Sequence, residues 1–335
     1  MRVLVCGLAA ALGVSASAAT AQDFYRDKQI RMIVGHPVGN DYDLGSRFLA
    51  KYMTRHIPGN PQIIVSNMPA ASSKAAANFL YNQAPADGTV FGSFSRNIPT
   101  QVLTNQPNLD VDPRKYQWLG GTALPGRVCV AWHTAKVKTP QELLTTELIV
   151  GGGGSGTSLS ILPTVFNHVL NTKFKIVEGY KGTTDVVLAM ERGEVQGVCA
   201  TYGQFRIYEQ LLKEGKMRFL LRAEESPIAE IPDVPSVYDL AKTDEQRQLM
   251  RFVFSSVEFG RPYVLPPATP PERVAILRKA FADTLADPEL KAEAGRIKLD
   301  MTFRPPDVLS KLVNDLYATP PSIIERITKL IPAVR

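Results

Sequence analysis

The clearest hydrophobic pattern in the chain lies near its middle. Residues 147–150 (Glu-Leu-Ile-Val) form a short apolar run typical of a strand, and residues 159–170 place their apolar side chains on one face of a helix. The stretch 151–158 between them reads Gly-Gly-Gly-Gly-Ser-Gly-Thr-Ser. The pattern therefore predicts a strand, a glycine-rich loop and a helix in succession.

This predicted loop has the composition of an anion-binding site. Glycine lets a backbone approach a ligand closely, and the free N–H groups in the first turn of a helix carry partial positive charge. Ser155, Thr157 and Ser158 add hydroxyl donors. We interpret the loop as one wall of a binding site for a small, negatively charged molecule. The alternative interpretation is a glycine-rich turn that binds nothing.

The first third of the chain repeats this strand–loop–helix pattern. Strands are predicted at 30–34, 61–65 and 89–93, and the loops that follow them lie at 35–43, 66–72 and 94–97. Asp41 or Asp43 can cap the helix after the first loop. Such repeats predict an open, largely parallel α/β sheet, in which ligands bind outside the carboxyl ends of the strands.

The apolar pattern after residue 122 predicts a second α/β domain inserted in the first. Its strands are predicted at 128–132, 147–150, 173–177 and 218–221, and a turn with a further strand at 193–198. Prolines near the starts of three tail segments mark helices at 271–286, 305–317 and 321–330. We expect a first lobe of residues 23–122 plus 223–335 and a second lobe of residues 123–222. The hinge between them is expected near 119–125 and 219–225.

Composition and charge narrow the function classes. The 335 residues are 44% hydrophobic and 21% charged, with a net charge of +6. The positive charge forms no stripe interleaved with aromatic residues, so no nucleic-acid partner is expected. Residues 1–21 have a short basic start, an apolar run and Ala19-Thr20-Ala21, which predicts a signal peptide and a periplasmic location. No later apolar stretch approaches 18 residues, so no membrane span is expected.

Cysteine and histidine usage indicates no metal site. Cys129 and Cys199 remain after the predicted cleavage; they could pair, but two buried thiols on separate strands are the favoured interpretation. The histidines show no metal-ligand spacing; they are His36, His56, His133 and His168. His36 alone lies in a candidate ligand loop.

Several segments together resemble a known family. Arg-Met-Ile-Val at 31–34 and Gly-Asn-Asp-Tyr-Asp at 39–43 with Arg47 resemble its first strand, loop and helix. Further matching segments follow in the family's order, at 67–72, 85–88, 154–158, 179–182, 193–197 and 231–236. The family is the substrate-binding proteins of tripartite tricarboxylate transporters, and the resemblance covers nearly all of the predicted mature chain.

The resemblance implies a monomeric exported receptor of the type II periplasmic-binding fold, which is not an enzyme and uses no cofactor. Its two lobes would close on a small carboxylate, held by uncharged donors, and deliver it to membrane transporter subunits. A receptor that signals to a membrane sensor is also compatible. Carried over by motif, the ligand-binding residues are Gly39, Asn40, Asp41, Ser72, Ser95, Ser155, Gly156, Thr157, Ser158, Gly182 and Asp185.

The chain departs from the family pattern at two loops. The first loop usually reads Pro-Phe-Ala-Pro-Gly-Gly, where this chain has Gly-His-Pro-Val-Gly-Asn at 35–40. The second loop usually has paired glycines where Ala71 and Ser72 stand. These differences bear on the ligand rather than on the fold.

Other side chains near the predicted loops admit two interpretations. Arg96 and Lys181 could each offset a ligand carboxylate, although solvated surface charge is the favoured interpretation for both. Tyr180 and Tyr202 fit either a cleft wall or ordinary packing. Asp185, at a helix start, is first a helix cap.

A dinucleotide-binding enzyme is the rival hypothesis. Gly151, Gly153 and Gly156 match the G-x-G-x-x-G fingerprint, and Glu178 ends the next predicted strand, where a ribose-binding acid would lie. The loop would then serve an exported NAD-dependent oxidoreductase. Against this hypothesis, an exported protein meets little free NAD, and the loop lies mid-chain in a small inserted domain.

Overall fold

A computed structural model describes residues 24–105, 107–123, 126–154, 157–225 and 227–334. The predicted signal peptide at residues 1–21 lies outside this range. The chain forms two compact units. The first contains the described residues up to Ala123 together with Phe259–Asp315, and the second contains the described residues of Leu124–Glu258 and Leu316–Arg335.

Strands and helices alternate through much of the chain. The strands are β1 (Gln29–Val34), β2 (Gln62–Asn67), β3 (Val90–Ser93), β4 (Gln117–Thr122), β5 (Arg127–Trp132), β6 (Leu148–Gly151), β7 (Phe174–Val177), β8 (Gly197–Thr201), β9 (Met217–Arg222), β10 (Arg261–Leu265) and β11 (Phe303–Arg304). The helices are α1 (Asp41–Met53), α2 (Lys74–Asn82), α3 (Ile98–Leu103), α4 (Ser158–Leu170), α5 (Thr183–Glu191), α6 (Glu209–Lys213), α7 (Asp244–Phe259), α8 (Pro271–Ala286), α9 (Pro288–Arg296), α10 (Pro306–Tyr317) and α11 (Pro321–Val334). Across the described part of the chain, every helix is too short or too polar to cross a bilayer.

The first unit is built on a six-stranded sheet in the order β11-β4-β10-β3-β1-β2. Strands β2, β1 and β3 are parallel, whereas β10 runs antiparallel to both β3 and β4. Val34 pairs with both Asn67 and Ser93, so the three parallel strands end side by side. Their following loops therefore leave from one edge of the sheet, as the strand–loop–helix pattern predicts.

Helices cover both faces of this sheet. On one face, Ile30 and Met32 pack in a buried cluster with Phe48 of α1 and Phe281 of α8. On the other face, a Cβ added to Gly92 would lie 2.9 Å from Leu80 of α2, so the absence of a side chain lets this helix approach β3. Successive side chains of β1 thus point to opposite faces of the sheet and pack against different helices.

The second unit is built on a five-stranded sheet in the order β7-β6-β8-β5-β9. β6 is parallel to β7 and β8, and β5 is antiparallel to β8 and β9. Its core joins apolar side chains of β5 and β8 to those of α4 and α5, including Val130, Val198, Leu159 and Val186. Both units are therefore mixed α/β layers with helices against the sheet.

The compact units differ from the predicted lobes in two segments. Residues 223–258 and 316–335, predicted in the first lobe, belong to the second unit. Arg222 bridges to Ser236 at the end of β9, and Phe254 of α7 packs on Phe166 of α4. Near the carboxyl terminus, Arg326 of α11 pairs with Glu245 of α7. The chain therefore passes between units at 258/259 rather than near 219–225.

The favoured interpretation of the cysteines as free thiols is wrong. Cys129 on β5 and Cys199 on β8 are directly opposite each other in the antiparallel pair and form a disulfide. Both residues are buried. The burial was foreseen, but the register that brings the two sulfur atoms together depends on strand pairing across 70 residues.

A buried carboxyl group follows β9 in the second unit. Glu224 is 8% exposed, and its Oε1 accepts a hydrogen bond from the backbone N–H of Arg127. Its Oε2 has no hydrogen-bond partner among the residues that the structure describes. Burial raises the pKa of Glu224 to about 7, and the nearby carboxylate of Glu258 acts in the same direction, against the opposing effect of Arg127. This group is largely protonated below neutral pH in the folded protein.

We expect the Glu224→Gln variant to be more stable than the wild type at pH 8, by about 3 kcal/mol. The unfolded carboxyl group ionises near pH 4.5 and the folded one near 7, so the wild type loses stability as the pH rises between these values. Below pH 4.5 both forms are protonated and the two proteins should be equally stable. Urea unfolding at pH 4.5, 6 and 8 measures the difference.

Glu225→Gln is the matched control. This neighbouring carboxylate pairs with Arg251, and that hydrogen bond, opposed by burial, lowers its pKa. Its removal should therefore cost stability at pH 8, by no more than about 1 kcal/mol because the pair is half exposed. Equal effects of the two substitutions at pH 8 would contradict the assignment to Glu224.

Candidate functional site

The loop after β1 is held in place by hydrogen bonds among its own residues. Gly39 has a φ of +82°, a conformation that favours glycine, and its N–H donates to Asp43 Oδ2 at 2.8 Å. The Asn40 side chain caps α1 by accepting from the Tyr42 N–H at 2.7 Å. The predicted ligand residues Gly39 and Asn40 therefore shape the start of α1.

Asp43 joins this loop to the end of β2. The residue is 1% exposed, and its carboxylate accepts hydrogen bonds from Gly39, Arg47 and Asn67. Burial opposes ionisation, but these hydrogen bonds outweigh it and lower the pKa of Asp43. The Asn67 side chain also donates to the His36 carbonyl at 2.9 Å. A charged network thus holds the first loop against the second strand.

Asp41, another predicted ligand residue, forms a bidentate ion pair with Arg261 of β10. The guanidinium Nε and Nη2 lie 2.8 and 2.9 Å from its two carboxylate oxygens. The Arg261 side chain is 2% exposed and also donates to Thr122 Oγ1, whereas Asp41 is 52% exposed. Asp41 is therefore the counter-ion of a buried cation, which the sequence analysis missed because Arg261 is 220 residues away.

The second and third loops meet at Ser73. Ala71, Ser72 and Ser73 all have left-handed backbone, with φ of +51°, +55° and +75°. That conformation explains why glycines suit the family pattern at two of these positions. Ser73 Oγ accepts from the Ser95 N–H at 2.9 Å, and a Cβ at Gly35 would lie 1.9 Å from the same oxygen.

Ser73 is thus the point at which the loops after β1, β2 and β3 converge. The predicted residue Ser72 is exposed on the left-handed turn next to it. Ser95 lies in the third loop, where its Oγ accepts from the Asn97 N–H at 3.3 Å. All five predicted residues of the first unit therefore lie at one edge of its sheet.

In the second unit, the glycine loop already holds a carboxylate of the protein itself. Glu178 Oε2 accepts from the Gly154 N–H at 2.6 Å and from Ser160 Oγ at 2.8 Å. A Cβ at Gly152 would lie 2.4 Å from the same oxygen, so a larger residue there would displace the Glu178 carboxylate. The loop therefore presents donors that bind a carboxylate, and two of them are already bound to Glu178.

This contact bears on the dinucleotide hypothesis. A ribose-binding acid must leave its carboxylate free for the sugar hydroxyls. Here Glu178 is bound to the backbone and hydroxyl donors of the glycine loop instead. The acid that the dinucleotide hypothesis requires is therefore engaged within the protein.

Local side chains hold the loop segments just before α4 and α5. Thr157 Oγ1 donates to the Gly154 carbonyl at 2.9 Å. Gly182 precedes α5 in an extended conformation, and Asp185 Oδ2 accepts from the Lys181 N–H at 3.2 Å. Asp185 therefore binds the backbone just before α5, and among the described residues no side-chain hydrogen bond caps the helix itself. Ser155, Gly156 and the Ser158 side chain lie outside the described part of the structure.

Aromatic side chains near the loops take packing roles. Tyr180 and Tyr202 are partly buried against the core of the second unit. The His36 ring stacks on Tyr42, with centroids 3.9 Å apart. Burial lowers the pKa of His36, opposed by the nearby Asp41, so the imidazole is largely uncharged at neutral pH.

The first unit also has an open groove away from these loops. An open groove of about 620 Å³ runs along the first unit between α1 and β2, lined by residues such as Arg47, Lys51 and Ile64. It contains none of the predicted ligand residues. Within the described ranges, no three His, Cys, Asp or Glu side chains are grouped as metal ligands would be.

Comparison with known families decides the assignment. The model of the tripartite tricarboxylate transporter family receptor (TctC) matches residues 46–329. The chain belongs to this receptor family. The resemblance drawn from the loop motifs is therefore confirmed. No curated protein sequence matches the chain.

Solved structures share the fold of this TctC-family receptor. A TctC solute-binding protein from Polaromonas, without ligand, has a TM-score of 0.70 at 18% identity, covering 90% of this chain and 99% of its own. MatC from Rhodopseudomonas palustris with bound malate has a TM-score of 0.52 at 19% identity, covering 91% and 99%. An R. palustris protein with adipate scores 0.52 at 17% identity, covering 92% and 97%. The predicted α/β periplasmic-binding fold is confirmed.

Proposed function

We propose that the chain is a periplasmic receptor that captures a small carboxylate and delivers it to a tripartite tricarboxylate transporter. Membership of the TctC receptor family over residues 46–329 carries this proposal. The ligand would be a di- or tricarboxylate or an aromatic acid, since two structures of similar fold hold malate and adipate. The protein would bind and release its ligand without chemical change.

The loops of each unit supply the ligand contacts in this proposal. The contacting residues would be Gly39, Asn40, Asp41, Ser72, Ser95, Ser155, Gly156, Thr157, Ser158, Gly182 and Asp185. Hydrogen bonds to charged groups contribute about 1.5–3 kcal/mol each. Four to six of them could sustain micromolar binding after the costs of association and desolvation.

Export is also part of the proposal. Residues 1–21 would be a signal peptide, removed on secretion. The disulfide between Cys129 and Cys199 supports this location, because such bonds persist in oxidising compartments such as the periplasm.

A thermal-shift and calorimetric panel tests the receptor function. The panel contains succinate, malate, adipate, citrate, benzoate and NAD. We expect at least one acid to bind with a micromolar Kd; at a hundredfold excess over Kd it adds about 2.7 kcal/mol to the stability of the folded protein. NAD should give no shift. Binding of NAD, with no response to any acid, would overturn the receptor proposal.

Ser72→Glu locates the contacts in the first unit. A carboxylate on the exposed turn beside Ser73 should repel an anionic ligand and weaken binding about tenfold. Gln83→Glu adds the same charge at the exposed carboxyl-terminal end of α2, away from the loops, and should leave the affinity unchanged. Equal affinities for the two variants would count against the proposed loop contacts.

A further inference from the structure

A cation at the end of β3 is held close to α1. Arg96 lies in the loop after β3 and is half-buried. Its backbone N–H donates to the Tyr42 hydroxyl at 3.2 Å, and that hydroxyl donates to the Gly260 carbonyl at 3.3 Å. The His36 ring stacks on the Tyr42 ring, with centroids 3.9 Å apart. The backbone of Arg96 is therefore fixed at the edge where the three loops converge.

The guanidinium of Arg96 is uncompensated. Two other arginines at this edge each have a carboxylate: Arg261 pairs with Asp41, and Arg47 with Asp43. The Arg96 side chain has no hydrogen bond or ion pair with any residue that the structure describes. Three cations and two anions leave one positive charge, and the neutral His36 adds none.

The charge of Arg96 lies near the same side chains, Tyr42 and His36, as the charge of Asp41. The Tyr42 hydroxyl lies within electrostatic range of Arg96, Arg261 and Asp41, and His36 within range of Arg96 and Asp41. Asp41 is already held by both of its oxygens in the Arg261 fork. The free guanidinium is therefore available to an anion that the protein does not itself supply.

We propose that the Arg96 guanidinium binds a carboxylate of the transported ligand and makes this receptor select for anions. The inference rests on the proposed receptor function and names a charged contact within it. A guanidinium can engage a carboxylate through two parallel hydrogen bonds, a geometry that ammonium or backbone donors do not reproduce. The first-unit loops then contribute one charged contact in addition to uncharged donors.

The test compares Arg96→Gln, Arg96→Lys and the wild type by calorimetry with succinate, malate, adipate, citrate and benzoate. Arg96→Gln should weaken the binding of the tightest-binding acid by about 10- to 100-fold. Arg96→Lys should recover part of that loss, because it keeps the charge but not the fork. Added NaCl should weaken binding to the wild type more than binding to Arg96→Gln.

Arg114→Gln is the matched control. Arg114 precedes β4, at the opposite edge of the same sheet, and pairs with Asp112. Its loss should leave the affinity unchanged. Wild-type affinity in Arg96→Gln, or equally weak binding in the Gln and Lys variants, would overturn the role of Arg96 alone. If no acid binds the wild type, the receptor proposal fails and this inference falls with it.

Discussion

Replacing Cys129 and Cys199 together by alanine should lower the free energy of unfolding of the second unit by about 4 kcal/mol. The disulfide closes a loop of 70 residues, and the chain-entropy relation gives this value for a loop of that length. Both sulfur atoms are buried in the central strands β5 and β8, so the folded unit keeps its cross-link away from solvent.

The two tryptophans make this measurement specific to one unit. Trp118 lies in β4 of the first unit and Trp132 in β5 of the second. In a Trp118→Phe background, fluorescence during urea unfolding reports on the second unit. Dithiothreitol should shift the midpoint of the disulfide-containing protein and leave the double alanine variant unchanged. Identical midpoints before and after reduction would contradict the stabilising role of the disulfide.

Asp41→Asn should destabilise the first unit by about 3 kcal/mol. The substitution keeps the shape of the side chain but leaves the Arg261 guanidinium, only 2% exposed, without a counter-ion. Removing one partner of a buried pair costs about 3–5 kcal/mol. We expect the lower end of that range because Asp41 is itself half exposed and its carboxylate is partly solvated in the wild type.

Asp283→Asn is the comparison for this effect. Asp283 pairs with Lys279 one helical turn away, and both side chains are exposed. Its loss should cost less than about 0.5 kcal/mol. Urea unfolding in a Trp132→Phe background, followed through Trp118, measures both variants on the first unit. Similar losses of stability in the two variants would show that the buried guanidinium of Arg261 does not need Asp41 as its counter-ion.

The loops of the first unit and the glycine loop of the second unit differ in the charges that they leave for a ligand. At the edge of the first sheet where the three loops converge, Asp41 and Asp43 each pair with an arginine, and Arg96 has no ion-pair partner among the described residues. In the second unit, Glu178 already occupies donors of the glycine loop. Under the role proposed for Arg96, the first unit offers a ligand a charged donor, whereas the described donors of the glycine loop are an uncharged N–H and hydroxyl that already bind Glu178. The composition of each loop did not reveal this difference, because both contain glycine and hydroxyl groups.

Local structure followed from the sequence alone. The apolar runs and glycine loops predicted the parallel strands of the first unit, the start of α4 and the family, because strand and helix periodicities involve neighbouring residues. The cap of α1 was placed one to three residues too late, at Asp41 or Asp43, whereas Asn40 caps the helix by a contact over two residues. Interactions of this range are encoded in short stretches and can be read from them.

Only the tertiary structure decided the pairings across long separations. The disulfide, the Asp41–Arg261 pair and the passage between units at 258/259 depend on strand order and register. The same holds for Arg96, whose guanidinium lacks a partner among the described residues, since only the fold determines which carboxylates lie near a given cation. Periodicity gives the face on which a side chain lies, whereas the partner on that face is set by contacts between distant segments.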